Sequence, residues 1–277
     1  MDGLPAAATR VLDEAGASGL ALGVLPANTA KVRLVLDLAS ELPADGRLRV
    51  LDAGCGGRNN PFNLWEPLLP LADRIELTGV DLAFLEETRA RATELGFPVE
   101  VREGSVLELE RQFGAEAFDA VASTQVLEHV EEWQEALRQV AAVLRPGGLL
   151  LLTCDSGELR RGPAERAKLA AKRLYARAPE RLRHRAARVA SGEWEWAPTR
   201  DELEAGARVA GLDVERCAHY ALRDVKDAQG GPGTRLLALA LEEALAEERP
   251  GFDPARYRIL YLRARKPRPA SDARAQS

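Results

Sequence analysis

The stretch VLDAGCGGRNNPF, residues 50–62, runs two apolar residues into an acid, Asp52, and then bends on Gly54, Gly56 and Gly57. Glycine is needed where backbone turns sharply or where something must approach it closely. A second acid, Asp81, closes the run IELTGVD. In an open parallel sheet, ligands gather at the carboxyl ends of the strands. An acid ending the strand that follows a glycine loop commonly takes the hydroxyls of a ribose. A glycine cluster alone could be a mere tight turn; with Asp81 it points to a nucleoside ligand. Further on, Glu128 and His129 follow FDAVAST, and Asp155 closes LLLLTCD. All three should stand at the same end of the sheet. An imidazole has an ordinary pKa near ~6.5, suited to accepting a proton near neutrality. His129 and Glu128 are therefore the candidate catalytic pair, against the plain reading that LEH only shapes a turn. Asp155 is a candidate substrate contact.

The elements that must position these residues are legible in order. Residues 28–41, NTAKVRLVLDLASE, have helical apolar spacing with Asn28 as N-cap. RLRVLDAG is a first strand. Asn60-Pro61 reads as the cap and first residue of a helix that Pro67 and Pro70 keep short. IELTGVD is a second strand, LAFLEETRARATELG a helix stopped by Gly96, FPVEVREGS a third strand and AFDAVAST a fourth. VEEWQEALRQVAAVL is a helix, RPGG a turn, and LLLLTCD a fifth strand apolar enough to be buried on both faces. After a break come a capped helix stopped at Gly211, a strand ending near Leu222, the helix GTRLLALALEEALAEE and a last strand, RYRILYLRAR. Alternating strands and helices mean βαβ units and a mostly parallel sheet.

Composition sets the class. The chain has 277 residues, 46% of them apolar and 29% charged, which is ordinary for a water-soluble domain. No apolar run nears the ~20 residues that span a bilayer, and the acidic start reads as no signal peptide. Three scattered cysteines, Cys55, Cys154 and Cys217, suggest neither a disulfide framework nor a zinc site, and fit a reduced cytoplasmic setting. The net charge of −5 hides an asymmetry: residues 158–188 hold eleven Lys/Arg against three Glu, about +8, leaving about −13 elsewhere.

The pieces VLDAGCGG, GVD, EGSV, FDAVASTQVLEHV and LRPGGLLLLT, in this order and spacing, make residues 49–153 resemble the class I S-adenosylmethionine-dependent methyltransferases. The resemblance implies an α/β, doubly wound, seven-stranded, mostly parallel sheet. Its last strand would insert antiparallel, with helices on both faces and a helical lid insertion. It implies that Asp52, Gly54, Cys55 and Gly56 line the methionine part of the cofactor and that Asp81, with Leu82 beside it, holds the ribose. Ser105 and Val106 would run along the adenine, and Thr124 and Gln125 would lie beside the sulfonium. Ser105 stands where the family often has aspartate, and Arg58 where it usually has a small residue. Arg58 is a solvated loop charge or an anion contact. The rival, a dinucleotide dehydrogenase, needs a third glycine where Asn59 stands, and Asp52 would repel a pyrophosphate. S-adenosyl-L-methionine is thus the expected cofactor, with S-adenosyl-L-homocysteine as product.

The expected organisation is an N-terminal helical extension (1–47), the cofactor-binding half (48–155), a basic helical lid (156–198), the second half of the sheet domain (199–266) and a disordered tail (267–277). The basic segment reads as a solvated lid, as a guide for an anionic substrate, or as a contact for nucleic acid or an anionic membrane surface. Its single Tyr175 makes base stacking the weakest of these. Trp194 and Trp196 are either packing of that segment or a wall of the substrate pocket. No acid cluster suggests a magnesium site, and STQV replaces the motif of enzymes that methylate amino groups of DNA bases and glutamine. The expectation is a metal-independent methyltransferase acting on a small molecule, neutral or anionic, at O, N or C. The alternative is a non-catalytic relative that binds the same cofactor and acts through the basic segment.

Overall fold

The computed structural model describes residues 5–56, 64–159, 197–222, 231–248 and 253–269. Seven strands form one sheet: β1 (Leu48–Ala53), β2 (Ile75–Asp81), β3 (Val99–Glu103), β4 (Phe118–Thr124), β5 (Leu144–Asp155), β6 (Asp213–Leu222) and β7 (Tyr257–Arg265). Their order is β3-β2-β1-β4-β5-β7-β6. β1 to β5 pair in parallel, and β7 runs antiparallel to both β5 and β6. The order reverses between β1 and β4, so the crevice for a ligand opens beyond their carboxyl ends.

Alternation along the strands feeds two cores. Leu149 and Leu151 of β5 face one side with Val50, Ala120 and Ala122. Leu150 and Leu152 face the other with Leu51, Val121 and Leu260. The first face is covered by α1 (Ala6–Ala17), α2 (Thr29–Ser40) and α7 (Pro232–Glu248), and the second by α5 (Trp133–Val143) and α6 (Arg200–Val209). Two further helices, α3 (Leu85–Leu95) and α4 (Leu109–Phe113), complete the crossovers.

Local chemistry sets the ends as the sequence suggests. The Asn28 side chain accepts from Ala30 N at 2.8 Å and starts α2. Gly96 takes the left-handed conformation that stops α3. Thr199 and Glu202 form a full capping box at α6. Two elements differ from expectation. The proline-bearing run Glu66–Arg74 is a 3-10 helix, with Pro67 in its first turn and Pro70 inside it. RPGG is not a free turn but an excursion inside β5: pairing jumps from Phe118↔Leu144 to Ala120↔Leu149, with Gly147 at φ +80°. Gly147 N donates to Lys266 O (2.8 Å), and Arg268 lies over Gly147. Ordered chain thus extends past the end of β7.

The helical face is pinned by buried charge. Arg33 of α2, 4% exposed, reaches Glu14 of α1 (2.5 Å), Asp37 (2.6 Å) and Glu243 of α7 (3.8 Å). Tyr220 of β6 donates to Glu243 (2.8 Å), and Tyr261 of β7 donates to Asp37. Nearby, Glu242 accepts from the Thr29 hydroxyl (2.7 Å), Ala221 N (3.1 Å) and Leu222 N (2.9 Å), which fixes the start of α2 against the end of β6. Removing one member of a buried ionic set strands the others. Arg33→Met is expected to cost about 3–5 kcal/mol, read as a lowered urea midpoint at unchanged m-value. A loss below about 1 kcal/mol would show that the network does not secure α1 and α7.

Candidate active site

The glycine loop is explained by what crowds it. Gly54 has φ +95°, and a Cβ there would lie 2.1 Å from Val126 Cγ2. Gly54 N and Cys55 N both donate to Val80 O, at 2.8 and 3.1 Å, which folds the loop back over β2. At Gly56 a Cβ would lie 2.3 Å from Ala83 O and 2.9 Å from Asp81 Cγ. Gly56 N donates to Asp81 Oδ2 at 2.8 Å. The Cys55 thiol is turned into the protein: its sulfur lies 2.7 Å from where a Cβ at Gly79 would be. Burial, with Asp52 and Asp81 nearby, pushes its pKa up. Only the backbone of Cys55 is left to face a ligand. Residues 57–63, including Gly57, Arg58, Asn59 and Asn60, lie outside the described residues.

Asp81 ends β2 as expected. Its Oδ1 accepts from Ala83 N (3.0 Å), so each carboxylate oxygen already holds one backbone donor and retains capacity for another. Leu82 beside it is 69% exposed, and Phe84, at φ 58°, is also open. Ser105 caps the turn after β3: its Oγ accepts from Leu107 N (3.2 Å), and its carbonyl accepts from Glu108 N (3.1 Å). Val106 packs against the second core. Thr124 ends β4 in register with Thr153.

Beyond β4 the structure brings together Gln125, Glu128 and Asp155. Gln125 sits at φ 59°, a left-handed conformation unusual outside glycine, held by its N–H to Thr153 O (2.8 Å). Its side-chain Nε2 donates to Glu128 Oε1 (2.5 Å) and Asp155 Oδ1 (3.2 Å). The two carboxylates claim the amide nitrogen, so the amide orientation is set. Gln125 Oε1 and Glu128 Oε2 are left buried without a hydrogen-bond partner. Burial, then the charge of Asp155, pushes the Glu128 carboxyl up to about 7, while Gln125 and Lys31 act in the other direction. His129 differs from its neighbour: it closes a 3-10 turn and is exposed. Trp194 and Trp196, and the basic segment from 160 to 196, lie outside the described residues. Just after β5, Gly157 N donates to Pro198 O at 2.7 Å.

Asp52 is the most enclosed acid of the crevice. Its Oδ2 accepts from the Trp65 indole at 2.6 Å, and its Oδ1 is buried without a partner. Burial pushes its pKa up to about 6, which the Trp65 hydrogen bond and Lys31 moderate. Trp65 and Lys31 are the residues that the sequence reading missed. Trp65 looks like ordinary core. Lys31 carried a signal: Asn28 caps α2, so Lys31 falls in the first turn, where a cation opposes the helix dipole.

With that geometry in view, the relatives fall into line. Residues 51–152 match the family model described as Methyltransferase domain. A ubiquinone biosynthesis O-methyltransferase of Xanthomonas axonopodis pv. citri (strain 306) is 37% identical over 118 residues, 42% of this chain and 45% of the relative. The 27-O-demethylrifamycin SV methyltransferase of Amycolatopsis mediterranei (strain S699) is 31% identical over 127 residues, 44% of each chain. The chain thus matches less than half the length of these curated relatives. Among solved structures, an S-adenosylmethionine-dependent methyltransferase from Mesorhizobium loti is similar at TM-score 0.53 and 19% identity, covering 85% of this chain and 97% of that one. The [4+2]-cyclase SpnF is similar at TM-score 0.52 and 20% identity, covering 86% and 81%. Residues 51–152 thus match a methyltransferase domain in sequence, and the chain shares the fold of the solved S-adenosylmethionine-dependent methyltransferase. Among the described residues no helix is long and apolar enough to cross a membrane.

Two acids with raised pKa values give the ligand-free chain a pH signature. Asp52 moves from 3.8 to about 6 and Glu128 from 4.5 to about 7. Between the lower and upper values the folded chain binds more protons than the unfolded one. Stability from these groups is therefore present at acid pH and lost as pH rises through about 6 and 7. Asp52→Asn and Glu128→Gln should each flatten the decline between pH 4 and 8 by on the order of 2–3 kcal/mol, measured by chemical unfolding across pH. Parallel curves for wild type and both variants would place these carboxyls in water.

Proposed function

We propose that this chain transfers a methyl group from S-adenosylmethionine to a hydroxyl oxygen of a small molecule, with Glu128 accepting the hydroxyl proton. The observation that carries this reading is the buried Glu128 carboxyl, pushed up to about 7 and holding one oxygen without a partner, at the mouth of a glycine-loop crevice. A proton acceptor works best with its pKa near the working pH. The named relatives that transfer to oxygen support the choice of atom.

The residues present suit the cofactor. Asp52 Oδ1 is a buried acceptor in need of a donor, which the ammonium of the methionine part would supply. Gly54 and Gly56 keep the backbone bare where that part would lie, with Cys55 contributing only backbone. Asp81 keeps acceptor capacity for ribose hydroxyls, and Leu82 offers an open apolar surface beside it. Ser105 and Val106 would border the adenine, and Thr124 and Gln125 the sulfur. When bound, the cofactor supplies an electrophilic methyl on a cationic sulfur. The chain's own work is to hold a hydroxyl in line with it, exclude water and take its proton. Gln125 and Asp155 orient Glu128, and Gln125 Oε1 offers the substrate a second acceptor. Glu128 is preferred over His129 as the acceptor because the imidazole lies at the exposed surface.

The acidic crevice alters the expected substrate. Asp52, Asp81, Glu128 and Asp155 surround the transfer position, so an anionic group would sit poorly beside it. A neutral hydroxyl donor fits, and any anionic part would have to lie toward the basic segment. The domain limits expected above are proposed on the same footing. The fold also serves a [4+2]-cyclase, so a chain of this fold need not transfer a methyl group.

Two variants test the reading. Asp81→Ala is expected to weaken S-adenosylhomocysteine binding by about 1.5–3 kcal/mol in calorimetry. Glu128→Gln should leave that affinity within about tenfold, yet lower kcat by about 10²–10⁴ on any accepted hydroxyl substrate. A chain that binds the product but methylates nothing across a hydroxyl-compound panel supports the non-catalytic alternative. An unchanged kcat in Glu128→Gln removes Glu128 from proton transfer.

A further inference from the structure

Gly104, just beyond the end of β3, has no side chain, yet a side chain stands where one would be. A Cβ there would overlap Gln112 Oε1 and would lie 2.6 Å from Gln112 Cδ and 2.7 Å from Gln112 Nε2. The carboxamide of Gln112, carried by α4, fills that position, which is open to it only because residue 104 is glycine. Its Nε2 donates to Ser105 O at 3.2 Å, so the nitrogen faces the turn after β3. Gln112 Oε1 accepts no hydrogen bond among the described residues, and Gln112 is half-buried. Turning the amide over would set Oε1 against Ser105 O, two acceptors face to face.

The packing of α4 fixes this amide. Leu109 is fully buried in the second core. Glu110 N donates to Gln139 Oε1 of α5 at 3.0 Å. Phe113 meets Phe118 of β4 edge to face, with ring centroids 5.3 Å apart, and Arg102 of β3 lies 5.2 Å above the Phe113 ring. The place of the amide suggests its ligand. Asp52 lies at the end of β1 and Asp81 at the end of β2, and Gly104 N donates to Asp81 O at 2.9 Å. With the amino-acid part of the cofactor toward Asp52 and its ribose on Asp81, the base continues to the turn after β3. Ser105 uses its oxygens within that turn: Oγ accepts from Leu107 N, and the carbonyl accepts from Glu108 N and Gln112 Nε2. Of the acids beside it, Glu108 is paired with Arg111 and Glu103 is exposed.

We propose that Gln112 determines specificity for the base of the cofactor: its Oε1 accepts from the 6-amino group of adenine and disfavours a 6-oxo purine. This rests on the cofactor placement proposed above, and not on Glu128 or on the atom that is methylated. A 6-oxo group would meet Oε1 oxygen to oxygen. The amide flip that relieves this contact breaks the bond from Nε2 to Ser105 O and leaves two acceptors facing there instead. A site built to bond an N–H discriminates against the analogue that lacks it, because its own polar group is left unpaired.

Binding tests this without turnover. S-adenosylhomocysteine and S-inosylhomocysteine differ only in the base, a 6-amino purine against a 6-oxo purine with a proton on N1. In calorimetry on the full chain, wild type should bind the adenosyl compound about tenfold tighter or more. Gln112→Met, of similar length but without the acceptor, should reduce that preference to within about twofold, chiefly by weakening S-adenosylhomocysteine. Gln112→Ala serves as the second variant should Gln112→Met fail to fold. Asp81→Ala should weaken both compounds alike and keep the preference. A wild type without preference overturns the proposal, as does a preference that survives in Gln112→Met, which then comes from another group. Equal weakening of both compounds in Gln112→Met also overturns it and makes Gln112 a support of the turn. In each of these cases weaker binding of both compounds by Asp81→Ala keeps the cofactor placement. Failure of wild type to bind either compound defeats that placement and the proposal with it.

Discussion

Burying an ionised carboxylate is costly unless donors or cations surround it, and this fold buries two, Asp52 and Glu128, without satisfying either. Each has one oxygen bonded, by Trp65 or by Gln125, and one left open within the protein. The surrounding structure holds that arrangement in place. The sheet sets Asp52 at the end of β1, and left-handed Gln125 carries the chain from β4 back to Glu128. The helix layer that would otherwise be free to settle elsewhere is locked by Arg33 and Glu242. A site that keeps unsatisfied buried acceptors is arranged for a ligand with donors and positive charge, which is the chemistry of a sulfonium with an ammonium beside it.

The glycines serve the same end by proximity. Gly54 lets Val126, from beyond β4, press onto the loop, and Gly56 lets Asp81 and Ala83 do so from beyond β2. Three strand ends are therefore drawn into contact around the point where β1 gives way to its neighbours. Asp81 contributes to the raised pKa of Asp52.

Much of this was legible in the sequence where cause and effect lie close along the chain. Caps at Asn28 and Thr199, the stop at Gly96, the alternation of β5 and the placing of Asp52 and Asp81 at strand ends all follow from local pattern. The antiparallel β7 came from the family resemblance and is present. The missed features depend on distant segments meeting. The start of α2 is held because Glu242, over two hundred residues later, accepts from the Thr29 hydroxyl. Gln125 looks like a loop residue until its positive φ aims it between two carboxylates. RPGG has the composition of a turn, but the sheet takes it in as a bulge because Lys266 and Arg268 close over it.

The account turns on Asp52 being a partly protonated acid that ionises to meet the cofactor's ammonium. Calorimetric titration of S-adenosylhomocysteine at pH 6, repeated in buffers of different ionisation enthalpy, counts the protons exchanged. With Asp52 at about 6, binding should release about half a proton at that pH and almost none at pH 8, and Asp52→Asn should abolish the release. Tight binding with no proton release at pH 6, or a release that persists in Asp52→Asn, would contradict the account.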